Sequence, residues 1–234
     1  MKIELFGLPC SGKSTIINKI RKSKEGESFK FPSNSISGVS NRLLRNTKKI
    51  THIINMLIIS PKMSINGWRA LNNMEIEDTL KVIKLYVYYL TTMSLLKKST
   101  RGQSFDLYDE GIFQVFWGVR YLSKNKFNLN QFLDLFPNDV WPKLIIVVKV
   151  DQDRWLDRIY SRQRKYKNKF TKGGSDFERE INIPGSVNKA LLEYDVIISM
   201  IDYISEINEI RVIEVDNNDV KDLDEIYKTI FNDL

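Results

Sequence analysis

Apolar residues in this chain cluster into short runs separated by longer stretches of helical period. After Pro142 comes Lys143-Leu144-Ile145-Ile146-Val147-Val148-Lys149-Val150, a near-continuous apolar run. A strand with one wet face would alternate, so this run predicts a strand covered on both faces, as in a parallel sheet. Lys2–Phe6, Phe29-Lys30-Phe31, Phe105–Asp109 and Arg211–Val215 read as further strands. Helices are expected over Thr15–Ile20, Asn41–Ser60, Glu75–Lys98, Ile112–Ser123, Asn128–Phe136, Asp153–Arg164, Gly185–Glu206 and Val220–Phe231. In the third of these, Leu80, Ile83, Val87, Leu90 and Met93 recur at helical spacing. Ser23–Ser40 is polar and Gly/Ser-rich, and Pro61–Asn73, with Trp68 and Arg69, reads as a loop. Strands that alternate with helices predict an α/β fold with a parallel sheet and helices on both faces. Ligands of such sheets bind beyond the carboxyl ends of the strands. The ends to inspect are therefore those after Phe6, Asp109 and Val215.

Gly7-Leu8-Pro9-Cys10-Ser11-Gly12-Lys13-Ser14-Thr15 follows the first strand and opens the first helix. Gly, four residues and Gly-Lys-Ser is the phosphate-loop pattern, and the strand–loop–helix setting gives it structural meaning. The glycines let backbone N–H groups converge on an anion, and the helix adds its positive end. The expected nucleotide-binding set is Gly7, Pro9, Cys10, Ser11, Gly12, Lys13, Ser14 and Thr15. Within it, Lys13 reaches the β- and γ-phosphates, Ser14 ligates Mg²⁺ and Thr15 donates to the α-phosphate. Cys10 reads as a small loop filler rather than a reactive thiol, because no base or second cysteine is near it in sequence.

Composition narrows the class. The chain has 234 residues, 42% of them hydrophobic, which suits one domain of moderate size. Cys10 and His52 are the sole members of their types, which removes internal disulfides, thiolate zinc clusters and His-based metal sites. His52 lies in an apolar helical stretch and reads as a packing or surface residue. No signal peptide or membrane-length span is evident, so a soluble, cytoplasmic protein is expected. The net charge of +7 fits a phosphate-rich substrate as well as nucleic acid. No RNA-binding aromatic motif, zinc finger or repeat accompanies it, which argues against nucleic acid.

Two further constellations carry chemistry. Asp109-Glu110-Gly111 ends an apolar strand where a magnesium-binding carboxylate is needed, making Asp109 and Ser14 the metal candidates. Strand alternation turns Glu110 to the other side, toward the acceptor or its nucleophile. Gly111 lets the chain turn close to a ligand. Arg154, Arg158 and Arg162 fall on one helix face. Guanidinium groups stabilise the charge that develops in phosphoryl transfer, and the basic loop to Gly173-Gly174 has the make-up of a closing lid.

Together these residues resemble the P-loop kinases of nucleosides and nucleotides, particularly the thymidylate-kinase and adenylate-kinase-like group. Gly7–Thr15, Phe105–Gly111, Arg158–Arg162 and the closing strand and helix over 211–231 carry the resemblance, and the phosphate loop is its specific part. It implies a three-layer P-loop NTPase fold in a single domain over 1–234, with a five-stranded parallel sheet, an acceptor-side helical region over about 38–100 and a lid over about 158–180. It implies Mg·ATP as donor, a lid carrying Arg158 and Arg162 with Arg158 also among the nucleotide-binding residues, and Asp216 and Asn217 near the adenine; with Lys13 and Glu110 from the motifs above, the two arginines complete the expected catalytic set. Arg164 is a further lid candidate. The partner is a small-molecule phosphoryl acceptor with no membrane, and homodimer formation is left open. The chain departs from thymidylate kinases, which have Asp-Arg-Tyr or Asp-Arg-His in place of Asp109-Glu110-Gly111. No Asp-Arg or Glu-Pro-Gly motif occurs around Ser28–Ser40. Arg42, Arg45, Arg69 and Arg120 are substitutes that no motif places. A nucleoside, nucleotide, sugar or other small alcohol is thus open as acceptor. One rival is a GTPase, for which Lys149-Val150-Asp151 is suggestive, but Val148 replaces the required asparagine. Another is an ATPase-type regulatory module, with Tyr86-Val87-Tyr88-Tyr89 as an interface, although packing against the sheet is the preferred reading of that stretch.

Overall fold

The computed structural model describes residues 1–23, 25–32, 42–76, 78–98, 105–124, 130, 133–167 and 185–218. The strands are β1 (Lys2–Phe6), β2 (Phe29–Lys30), β3 (Phe105–Tyr108), β4 (Leu144–Lys149) and β5 (Arg211–Asp216). The described helices are α1 (Lys13–Lys22), α2 (Arg42–Ile59), α3 (Pro61–Asn72), α4 (Thr79–Lys97), α5 (Ile112–Leu122), α6 (Gln152–Lys167) and α7 (Ser186–Asn208). The five strands form one sheet in the order β2-β3-β1-β4-β5. Every pairing is parallel: Ile3 lies opposite both Leu107 and Leu144, Phe29 opposite Phe105, and Lys149 opposite Asp216. The expected fold class is the observed one, and β1 delivers the phosphate loop at the centre of the sheet.

The apolar run of β4 divides as its composition requires. Leu144, Ile146 and Val148 join Ile3, Leu5, Leu107 and α1's Ile16, Ile17 and Ile20 on one face. Ile145 and Val147 join a larger core with Phe6, Tyr108, Phe113, Phe116, Trp155, Ile197 and Ile201 on the other. Burial on both faces is what permits five apolar residues in succession.

Pro61–Asn72, expected as a loop, is a helix. Proline is tolerated in a first helical turn, where its missing N–H would have no intrahelical partner. Gly67 marks a close crossing rather than a break: a Cβ there would lie 2.4 Å from Tyr89 Cε1 of α4. Tyr86 Oη donates to Ser64 O at 3.0 Å and the Trp68 and Tyr86 rings meet edge to face, which locks α3 on α4. Tyr86 and Tyr89 are thus spent on internal packing.

Other expectations hold with shifted ends. Phe31 lies just outside β2, α6 extends beyond Asp153–Arg164, and α7 runs two residues past Glu206. Residues 128, 129, 131 and 132 of the helix expected over Asn128–Phe136, most of the basic loop expected over Lys165–Gly174 and the helix expected over Val220–Phe231 lie outside the described residues. Among the described residues, no helix is long and apolar enough to cross a membrane.

Candidate active site

The phosphate loop is held by contacts that its two glycines make feasible. A Cβ on Gly7 would lie 2.7 Å from Val148 O, so only glycine lets the loop leave β1 so close to β4. Gly12 has φ +101°, and a Cβ there would lie 2.0 Å from Asn217 Nδ2. Inside the loop, Ser11 N donates to Leu8 O at 3.0 Å, and Thr15 N to Gly12 O at 2.9 Å. Among the described residues no side chain caps the start of α1 at Gly12, and its first turn holds no acid, so its positive end is available to an anion. Ser14 and Thr15 are exposed there. Lys13 Nζ donates to Gly7 O at 2.6 Å and Leu8 O at 3.1 Å, folded back on its own loop. Burial pulls its pKa down to about 8, opposed by the charges of Glu110, Asp109, Cys10 and Glu4.

Both carboxylates after β3 act on that lysine, Glu110 more strongly than Asp109. β3 ends at Tyr108, and strand alternation does not govern the turn beyond it. Asp109 Oδ1 is buried without a hydrogen-bond partner in the described structure. Glu110 is exposed as a residue; loss of water around its carboxyl, then Asp109's charge, pushes its pKa up, against Lys13 and Lys49.

Two side chains that motif reasoning passed over belong to this group. Tyr88 of α4 has a buried hydroxyl without a hydrogen-bond partner among the described residues, and burial followed by the charges of Glu110, Glu4 and Asp109 holds its pKa well above the ordinary value. Glu4 of β1 is 1% exposed, and burial raises its pKa to about 8. A charge in the middle of an apolar strand was the available signal for Glu4. A tyrosine in a helix with four neighbouring core positions gave none for Tyr88.

α6 applies its arginine face to the phosphate loop. Arg158 Nη1 donates to Ser11 O at 3.0 Å and its Nη2 to Asn217 O at 2.6 Å. Trp155 Nε1 donates to Pro9 O at 2.7 Å, Arg162 Nη1 lies 3.5 Å from Cys10 Sγ, and Arg154 donates to Asn218 O. Asn217 Nδ2 returns a bond to Ser11 O at 2.7 Å. Asp216 closes β5 and lines a cavity of about 270 Å³ with Leu8, Val148, Asp151, Tyr194 and Asn218. The loop, the arginine helix and the end of β5 are thus one assembly.

Of the arginines without a motif, Arg120 is ion-paired with Glu193 at 2.5 Å and Arg69 is exposed on α3. The side chains of Arg42 and Arg45 lie outside the described residues. His52 Nδ1 lies 2.9 Å from Ser94 Oγ between α2 and α4, a packing position.

No family model matches the chain, and no curated protein matches it in sequence. Among solved structures, the chain is similar to deoxyadenosine kinase from M. mycoides with bound dCTP (TM-score 0.52, 14% identity, 100% of each chain covered). It is also similar to that enzyme with the products dCMP and a flexible dCDP bound (TM-score 0.55, 16% identity, 100% of each chain). A third similar structure is the same enzyme with bound dATP (TM-score 0.51, 15% identity, 99% of each chain). At these identities the likeness is one of fold, shared along the whole length of the chain.

Proposed function

We propose that this chain is a phosphotransferase that moves the γ-phosphoryl group of Mg·ATP to a hydroxyl of a small molecule, a nucleoside or nucleotide. The carrying observation is the meeting of three parts at the strand ends: an uncapped phosphate loop, its lysine, and two carboxylates that both act on that lysine. The fold shared with deoxyadenosine kinases supports a deoxynucleoside as first choice of acceptor.

Ser14 and Asp109 fit a divalent cation, since one offers an exposed hydroxyl and the other a buried oxygen without a partner. Among the described residues no cluster of three or more His, Cys, Asp or Glu side chains could hold a metal alone, so nucleotide oxygens would complete the shell. Bound there, Mg²⁺ would neutralise charge on the donor phosphates. Gly7 to Thr15 cradle those phosphates through backbone N–H groups. Lys13 exchanges its two loop carbonyls for phosphate oxygens. Glu110, with its raised pKa, is suited to take the proton of the acceptor hydroxyl. Arg158 ties the loop at Ser11 to Asn217, next to Asp216 on the base side, and Arg162 faces the loop from one turn further on. The cavity beyond Leu8 suits the adenine.

The test is a screen of the purified protein with Mg·ATP against nucleosides, nucleoside monophosphates and sugars, following ADP release and product mass. A phosphorylated nucleoside or nucleotide supports the reading. GTP binding without ATP binding, or hydrolysis with no phosphorylated small molecule, would replace it with a switch or ATPase module.

A further inference from the structure

Glu4 is a buried acid in the central strand, and its surroundings show what it holds. Its Oε2 accepts from Ile112 N and its Oε1 from Phe113 N, each at 2.9 Å. These are first-turn N–H groups of α5. The helix has no side-chain cap of its own at Gly111 and no acid in its first turn. An ordinary local cap would be Ser, Thr, Asp or Asn at the Gly111 position. Here the cap comes from β1 instead, three residues before the phosphate loop begins. Gly111 is shaped to this arrangement: a Cβ there would lie 2.3 Å from Glu4 Cδ. Its φ of −121° suits any residue, so close approach alone demands glycine.

Burying a carboxyl costs free energy that a local cap would have avoided. What the remote cap adds is a rigid tie between the strand that carries the phosphate loop and the turn that carries Asp109 and Glu110. We infer that Glu4 is a positioning residue: it fixes the Asp109–Gly111 turn to β1 and so sets the direction of both carboxylates relative to Lys13. Glu4 touches no reacting atom. Its kinetic consequence rests on the kinase reading above; its structural consequence does not.

Four proteins test this: wild type, Glu4→Ala, Gly111→Ala and the double variant. With the best acceptor from the screen, Glu4→Ala lowers kcat about tenfold or more while the KM for ATP stays within about twofold, because misplaced carboxylates affect transfer and not donor capture. Gly111→Ala alone lowers kcat to a similar degree by colliding with Glu4. Added to Glu4→Ala it changes kcat by less than about twofold, because the collision partner is gone. Glu4→Gln keeps the shape with one acceptor oxygen fewer, and it carries the kcat-against-KM comparison if Glu4→Ala does not fold. Effects that multiply independently, a loss confined to the KM for ATP, or unchanged kcat in folded Glu4→Ala and Glu4→Gln would overturn the inference. If wild type transfers to no acceptor, the proposed function falls, and calorimetric ADP binding decides the inference instead. Glu4→Ala then reduces the gain in ADP affinity that Mg²⁺ confers and leaves metal-free ADP binding unchanged. An intact Mg²⁺ gain would overturn it.

Discussion

Lys13, Glu4 and Asp109 differ sharply in how far sequence reveals them. Lys13 is announced by a spaced motif with one purpose, and the structure seats it within the loop. On the proposed reading, replacing it with alanine removes the cation that would meet the transferring phosphate, and transfer is expected to fall about 100-fold or more, with the circular dichroism spectrum unchanged. Asp109 was legible as a strand-end carboxylate. For Glu110 alternation gives no direction, because β3 ends at Tyr108 and the residue lies in the turn beyond it. Glu4 carries no motif, and its role arises only when β1 and α5 meet across 108 residues. Its pKa makes a prediction of definite sign. The folded protein raises it from 4.5 to about 8, chiefly through burial, against the N–H groups of Phe113, Ile112 and Gln114 and the charge of Lys13. Lys13, Asp109, Glu110 and Tyr88 all feel its charge or add theirs to the same cluster. The folded state therefore keeps a proton that the unfolded chain gives up. Stability from this source is full below the unfolded pKa and is lost as pH rises through the folded one. Thermal unfolding midpoints from pH 5 to 8.5 should fall less steeply for Glu4→Gln than for wild type, and parallel curves would remove Glu4 from the account.

Elements follow from periodicity where it is strong and from contacts where it is not. β4 was readable because five successive apolar residues fit only a strand covered on both faces. α3 was not, since Pro61 and Gly67 are loop signals locally and become helical features only against Tyr89 and Ser64. Gly67→Ala places a methyl group against the Tyr89 ring and is expected to destabilise by about 1–3 kcal/mol in urea unfolding. A neutral result would mean that α3 and α4 sit further apart. α6 was expected to face the nucleotide with its arginines, and its contacts give those arginines a structural task too. Arg158 joins Ser11 O and Asn217 O, so Arg158→Ala should loosen the phosphate loop from the end of β5. Weaker ADP binding by about tenfold in titration calorimetry is the expected result, a loss in line with charged hydrogen bonds. Unchanged affinity would reduce Arg158 to a surface cation.

At the scale of the molecule, the fold class was legible because alternation of strands and helices admits few topologies, and the observed sheet order keeps β1 central. The acceptor was not legible, because on the proposed reading its recognition would draw on α4, on the β3–α5 turn and on residues without a motif. Tyr88 illustrates this: its hydroxyl, without a hydrogen-bond partner among the described residues, becomes notable only beside Asp109 and Glu110. The likeness to deoxyadenosine kinases extends over the whole chain at 14–16% identity, so it supplies the frame and leaves the chemistry to these residues. The central claim is that one assembly of phosphate loop, two carboxylates and arginine helix transfers phosphate to a small molecule. It is tested most directly by following the label from γ-³²P ATP, with Mg²⁺ and a panel of deoxynucleosides, in wild type and Lys13→Ala. The account predicts label in a phosphorylated nucleoside with wild type and none above background with Lys13→Ala. Label released only as inorganic phosphate, or equal transfer by both proteins, would contradict it.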